Sequence, residues 1–510
     1  RDQSSYSANR EAFDMVKAIL STQVSKRSVA DVASFACDPS LLFRLYPQHQ
    51  KRYQEELEAF NELLATAWVR GGNDSGDGED SGMPAMTYVA NAALGLLFAR
   101  AAYGRMMLGG GGDACGSFVG SAAAAQYNGH WHEAEVEAFC TLSGLKRNDI
   151  LASLWDEQTF QPAFVVCLAH EVQWIVVAIR GSMSWKAILT DVAADVAEVA
   201  GGLAHSGMVR ASSWVLRQIG DVLREAAMKY AGYTIVCTGH SLGADVAALL
   251  AVQLRDLHAH PRQADLASTS EEAQALAPES FGSAICFAFG PSPLMSPMLA
   301  LRCETYVLSI SRNFDFVTRL SVFGIDRLLL EMTEQSAPLL FKQWFSGKFK
   351  QDTSGEKAAA RTRAFGSTDR IPEPLVPPGK LLHIHSPVMT DGSVMARLFW
   401  SLPGFYHNFL LSVRMLQDHL PIKYLEDLLC FMSSTEGHLK SLLPQNRLSS
   451  DAGSHIGLRL ALQSIILGDQ DSPRASNPSM SLEDFLGSDS PIARRSSELE
   501  LTVMSRAEQQ

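Results

Sequence analysis

Apolar positions in this chain fall into two alternating patterns: short unbroken runs, and longer stretches in which polar residues recur at helical spacing. Ala163–Leu168 and Trp174–Ile179 are of the first kind, and the β-branched run Thr234-Ile235-Val236, Ala284–Phe289, Thr305–Ile310 and Lys380–His385, where His383 and His385 alternate with apolar residues, are further strand candidates. Unbroken runs of this length predict interior strands covered on both faces. A further strand is expected at Phe405–Ser412, ahead of the segment Met415–Cys430. Helical patterning follows at Trp185–Val199, at Met208–Tyr230 and from Ala244 onward. Strands that alternate with helices predict an α/β fold with a mainly parallel sheet and helices on both faces.

Three features in front of this core have their own patterns. Glu11–Leu20 and Tyr53–Val69 read as amphipathic helices. Met83–Leu108 is the most apolar helical stretch, but Arg100 and Arg105 interrupt it and Asn91 lies near its start. That falls short of a spanning helix, and the stretch is expected to pack on the core, with a membrane-surface helix as the second reading. Gly71–Gly82 is acidic and glycine-rich, as a linker would be. The expected organisation is therefore a helical region with its linker over 1–82, a catalytic-type domain over 83–440, and a serine-rich disordered tail over 441–510.

Two insertions interrupt the middle part, at 259–280 and at 331–379. The second contains KQWFSGKFK (Lys342–Lys350) and later Arg361, Arg363 and Arg370, with a proline cluster at Pro372, Pro374, Pro377 and Pro378. Basic and aromatic residues together suit an anionic lipid surface. A solvated loop explains the same composition, and both readings stand.

Charge and cysteines narrow the field. Over 510 residues the formal net charge is −12, which excludes a general nucleic-acid binder with its basic face. The eight cysteines are scattered without a C-x-x-C pair, as expected of buried thiols in a reducing compartment. No secretory signal is present. The chain starts with Arg1, so it is expected to be part of a longer one.

The candidate chemistry centres on Gly239-His240-Ser241-Leu242-Gly243. A strand runs into it and an alanine-rich helix leaves it, the setting of a nucleophile elbow: glycines flank the serine because the chain turns sharply there. A serine hydroxyl needs a histidine to take its proton and an acid to orient that histidine, in the chain order serine, acid, histidine. Asp315, in the turn after the strand Thr305–Ile310, is the preferred acid, with Asp326 its rival. For the base, His383, His385 and His407 all fall within strand-like runs, whereas His419 sits in a loop beyond the last strand and is preferred. The oxyanion donors are expected to be the N–H groups of Leu242, which follows the serine, and Ser182, at the end of the strand Trp174–Ile179.

IRGSMSWKAILTD (Ile179–Asp191), AHSGM (Ala204–Met208), VCTGHSLGA, FAFGPSP (Phe287–Pro293), FDFVTRLS (Phe314–Ser321), PPGKLLHI (Pro377–Ile384) and MLQDHLP (Met415–Pro421) occur in the order found in fungal-type class 3 lipases. The set most closely resembles the sn-1-specific diacylglycerol lipases, over roughly Tyr88–Leu429. The resemblance implies an α/β-hydrolase with Ser241 as nucleophile, Asp315 as acid and His419 as base, and likens 331–379 to a regulatory loop near the site entrance. It implies hydrolysis of the sn-1 ester of diacylglycerol to monoacylglycerol and fatty acid through an acyl-enzyme. A triacylglycerol lipase, a phospholipase A1 and a catalytically silent lipase-like interaction protein are the alternatives.

The implied partner is a glycerolipid at a membrane or lipid-droplet surface, with the site facing the cytoplasm and no nucleic acid. Integral anchoring is expected if the family's N-terminal transmembrane helices precede this chain. Calcium enters by resemblance alone, since no calcium-loop pattern is present and the triad itself needs no cofactor. The chain departs from the family at Ala169-His170, where an aspartate often precedes the histidine, and at Asp245, where a glycine is usual.

Overall fold

The computed structural model describes residues 45–59, 86–108, 131–182, 196–259, 279–321, 323–325, 327–328, 331, 375–387, 395–412, 414–435 and 459. Glu11–Leu20, the glycine-rich stretch 71–82, Asp326, nearly all of both insertions and the tail other than residue 459 lie outside these. Eight strands form one sheet in the order β1-β2-β3-β6-β7-β8-β9-β10. They are β1 Ile150–Leu154, β2 Phe164–Ala169, β3 Trp174–Ile179, β6 Thr234–His240, β7 Ile285–Phe289, β8 Val307–Arg312, β9 Lys380–His385 and β10 Arg397–Ser401. The centre, β3 to β9, is parallel; β1, β2 and β10 add antiparallel edges. The fold is that of an α/β-hydrolase.

Side chains of the central strands alternate between two cores, as the strand period requires. Trp174, Val176 and Ala178 of β3 join Val236 of β6 and Phe287 of β7 on one face, under helices α1 (Met86–Ala101), α2 (Trp131–Ser143) and α5 (Pro421–Thr435). Ile175, Val177 and Ile179 join Ile235 and Cys237 on the other, under α3 (Ser206–Lys229) and α4 (Leu242–Ala259). Every apolar side chain of α1 from Val89 to Ala101 is buried, because the helix lies against the sheet: Thr238 Oγ1 on β6 donates to the Gly95 carbonyl at 3.0 Å. This stretch packs on the core, as its interrupting arginines implied. Among the described residues no helix is long and apolar enough to cross a membrane.

The structure corrects the expectations at the following points. Trp185–Val199 does not end as a helix: Val196–Val199 is strand β4, paired with β5 (Gly202–His205) in a separate hairpin. Ala200 and Gly201 between them both have positive φ, +46° and +69°, the backbone of a two-residue hairpin turn. Phe405–Ser412 is not a strand. Pro403 opens a tight 3-10 turn over Pro403–Tyr406, and the backbone groups that follow bond to side chains: Leu411 N donates to His49 Nδ1, and the Phe405 carbonyl accepts from Arg319. His407 accordingly caps that turn. The last strand is β10, before the proline, and β1 is an edge strand that the broken run at Asn148–Leu154 concealed.

Residues 45–59 form a helix that packs on this part of the molecule. Leu45, Tyr53 and Leu57 are buried with Phe314, Phe316 and Phe405.

Candidate active site

β6 ends at His240, and α4 begins at Leu242, so Ser241 alone makes the turn. Its φ is +61°, a left-handed conformation that a non-glycine residue adopts at a cost of order 1–3 kcal/mol. The turn is tight enough that a side chain on Gly239 would run into the Gly243 carbonyl, and one on Gly243 into the carbonyl of Ile179 at the end of β3. Both glycines are therefore required, and the β3 end that leads to Ser182 is pressed against the elbow.

Asp315 and His419 lie 104 positions apart in the chain and meet here. Asp315 follows β8 after the turn at Asn313, whose φ is +39°. His419 follows the short helix Met415–Asp418 and precedes Pro421, the first residue of α5. Its Nδ1 lies 2.8 and 2.9 Å from the two Asp315 carboxylate oxygens, with Asp315 fully buried. A carboxylate only accepts, so Nδ1 carries the proton and Nε2 presents a lone pair. That Nε2 and the Ser241 hydroxyl are both buried without a hydrogen-bond partner. Asp315 is held further by the Val317 N–H at 2.8 Å and by a very short bond from the Tyr424 hydroxyl.

His240, the residue before the serine, ties the elbow to the base. Its ring centroid lies 4.5 Å from that of His419, and its Nε2 donates to the His419 carbonyl at 2.6 Å. Its Nδ1 then accepts from the Tyr103 hydroxyl at 2.9 Å. Burial, with the neighbouring His419 adding to it, holds the His240 pKa well below the usual imidazole value, so the ring is neutral.

The β3 loop that carries one expected oxyanion donor runs against the elbow, since a side chain on Gly181 would meet the His240 carbonyl and Ser241 Cβ. Leu242 is the first residue of α4, so its N–H has no intrahelical acceptor, and it lies at the positive end of the helix dipole. Ser182 is buried at the end of the described part of the β3 loop, next to Gly181 and Arg180. The other histidines are engaged elsewhere. His383 and His385 both bond Tyr53, and His407 lies beside Phe323.

Sequence reading missed Tyr424, Tyr103 and His240 as supports. A tyrosine five residues after the base, and a histidine inside the elbow motif itself, were the available signals. Among the described residues no three His, Cys, Asp or Glu side chains converge as a metal site requires.

A serine on a strained elbow, with an aspartate–histidine pair delivered to the same end of a parallel sheet, defines a serine-hydrolase type of site on an α/β-hydrolase fold. Residues 176–324 match the family model described as lipase (class 3). Mouse diacylglycerol lipase-beta is 26% identical over 364 residues, covering 61% of this chain and 50% of that one. Human diacylglycerol lipase-alpha is 24% identical over 319 residues, covering 55% and 28%. The chain thus spans half or less of the length of these relatives. Among solved structures, a Rhizomucor miehei lipase–propeptide complex is 14% identical and covers 69% of this chain and 80% of its own, with a TM-score of 0.37.

Proposed function

We propose that the chain is a serine lipase that hydrolyses the sn-1 ester of diacylglycerol at a membrane or lipid-droplet surface facing the cytoplasm. The observation that carries this reading is the Asp315–His419 pair, whose Nε2, like the Ser241 hydroxyl at the elbow, is buried and makes no hydrogen bond within the fold. In the proposed reaction His419 Nε2 takes the Ser241 proton as the serine oxygen attacks the ester carbonyl. The N–H groups of Leu242 and Ser182 stabilise the oxyanion. His419 then gives its proton to the departing glyceride oxygen, leaving an acyl-serine. Water, deprotonated by the same nitrogen, attacks the acyl-serine, and the fatty acid leaves as Ser241 regains its proton.

The similarity to two diacylglycerol lipases supports diacylglycerol as the substrate class. Product analysis by mass spectrometry tests that choice, with mixed-chain diacylglycerol, triacylglycerol and phosphatidylcholine presented in the same micelles. Release of the sn-1 chain from diacylglycerol in preference to the other two is the expected result. Preferential cleavage of triacylglycerol or phosphatidylcholine would assign the chain to one of those activities instead.

A further inference from the structure

For Asp315 to meet His419, the loop after β8 and the loop before α5 must be held in register, and a buried ionic cluster joins them. Arg312, the last residue of β8, is 3% exposed and uses both edges of its guanidinium. Nη1 donates to Asp418 Oδ1 at 2.5 Å, and Nε donates to Asp427 Oδ2 at 2.6 Å. Asp418 is the residue immediately before His419. Its second oxygen accepts from the Phe314 N–H, the residue immediately before Asp315, at 3.3 Å. One carboxylate thus grips the acid loop at two points while its own backbone carries the base.

Further bonds tie these loops to neighbouring elements. Asn313 turns its amide toward Asp418, and its Oδ1 accepts the Ser386 N–H at 2.8 Å, so the left-handed turn before Asp315 is fixed to the end of β9. Asp427 also accepts from the Ser386 hydroxyl at 2.9 Å. Burial works against the Arg312 charge, but the two carboxylates outweigh it and hold its pKa above the ordinary arginine value. Three charged side chains kept in a dry interior are a poor way to gain stability, since apolar residues of the same volume often do as well. Their directional bonds do what apolar packing does not: they set the distance between two loops.

We propose that Asp418, gripped by Arg312, is a positioning residue that locks the base loop to the acid loop and so sets the orientation of His419 toward Ser241. The inference rests on the Ser241–His419–Asp315 reading. Asp427 serves as the internal comparison, because it occupies the other edge of the same guanidinium with similar burial but lies on α5, away from the base.

The test uses the full chain with p-nitrophenyl butyrate for steady-state kinetics, a fluorophosphonate for Ser241 labelling, and thermal melting for the fold. Asp418→Asn is expected to lower kcat about 10- to 100-fold while KM stays within about twofold, the pattern of lost orientation. Labelling should slow in parallel. Asp427→Asn is expected to lower the melting temperature comparably but to keep kcat within about threefold. Should Asp418→Asn not fold, Arg312→Lys is read by the same split, because an ammonium cannot hold two carboxylates on a planar fork. A wild-type kcat in Asp418→Asn, or a loss in both aspartate variants that merely follows their lost stability, overturns the proposal. A wild type that fluorophosphonate does not label overturns the serine reading and this one with it; normal labelling of both wild type and Asp418→Asn overturns this one alone.

Discussion

His240 donates its Nε2 proton to the backbone carbonyl of His419 at 2.6 Å, with the two rings 4.5 Å apart. The residue before the nucleophile therefore holds the main chain of the base. Replacing His240 with Phe keeps the ring contact and removes the bond, leaving a buried carbonyl unpaired at a cost of about 1–3 kcal/mol. A melting temperature lowered by several degrees, and kcat for a soluble ester reduced about tenfold, are the expected outcomes. Calorimetry and ester assays on the purified variant check them, and unchanged values would show that the bond does not hold the base.

Gly290, at the end of β7, sits directly behind the acid–base pair. Its φ is +57°, and a methyl group there would lie 2.7 Å from Asp315 Oδ2 and 3.1 Å from two atoms of the His419 ring. Gly290→Ala should thus lose stability from backbone strain and displace Asp315 from His419. A loss of activity of about 100-fold or more is expected, larger than its destabilisation alone explains. An alanine variant with normal turnover would place the pair elsewhere.

Asp245 lies fully buried in the first turn of α4. Its carboxyl accepts from the Ser292 N–H at 2.9 Å and bonds the Ser292 hydroxyl at 2.7 Å, yet burial outweighs both bonds and raises its pKa to about 8. The native state then holds a proton that the unfolded chain releases near pH 4, so stability is full below pH 4 and declines as pH rises toward about 8. Asp245→Asn keeps both Ser292 contacts without the charge. It should stabilise the protein by about 1–3 kcal/mol at pH 8 and hardly at all at pH 4. Denaturant melts at the two pH values measure this, and an equal effect at both would contradict the assigned titration.

Tyr424, in the first turn of α5, donates its hydroxyl to the Asp315 carboxylate. Tyr424→Phe removes one of the bonds that orient the acid while leaving the His419 pair intact. A kcat reduced about 3- to 30-fold, with KM little changed, is expected from steady-state assays. An unaltered kcat would make the tyrosine a packing residue only.

Much of the site could be read from sequence, because its signals are local. The strand–turn–helix around Ser241 announces itself in eleven or so consecutive residues, and strand β3, Trp174–Ile179, was legible to the residue because every position faces a core. His419 was separable from His383 and His385 because those two alternate with apolar residues on β9. What escaped depends on contacts across the chain. β10 begins with an arginine and exists through its pairing with β9, while the more apolar Phe405–Ser412 has its backbone groups taken by His49 and Arg319. The bonds from Tyr103 to His240 and from Arg312 to Asp418 join residues more than a hundred positions apart, and no periodicity marks them.

The central claim is that Ser241 is the nucleophile of an ester hydrolase, and its most direct test is fatty-acid release from sn-1-labelled diacylglycerol by purified wild type and Ser241→Ala. Alanine removes only the hydroxyl, which has no hydrogen-bond partner in the fold, so the variant should melt as the wild type does. The wild type is predicted to release labelled fatty acid and the variant to fall by about 10³-fold or more. Release that survives in a well-folded Ser241→Ala protein would contradict the account.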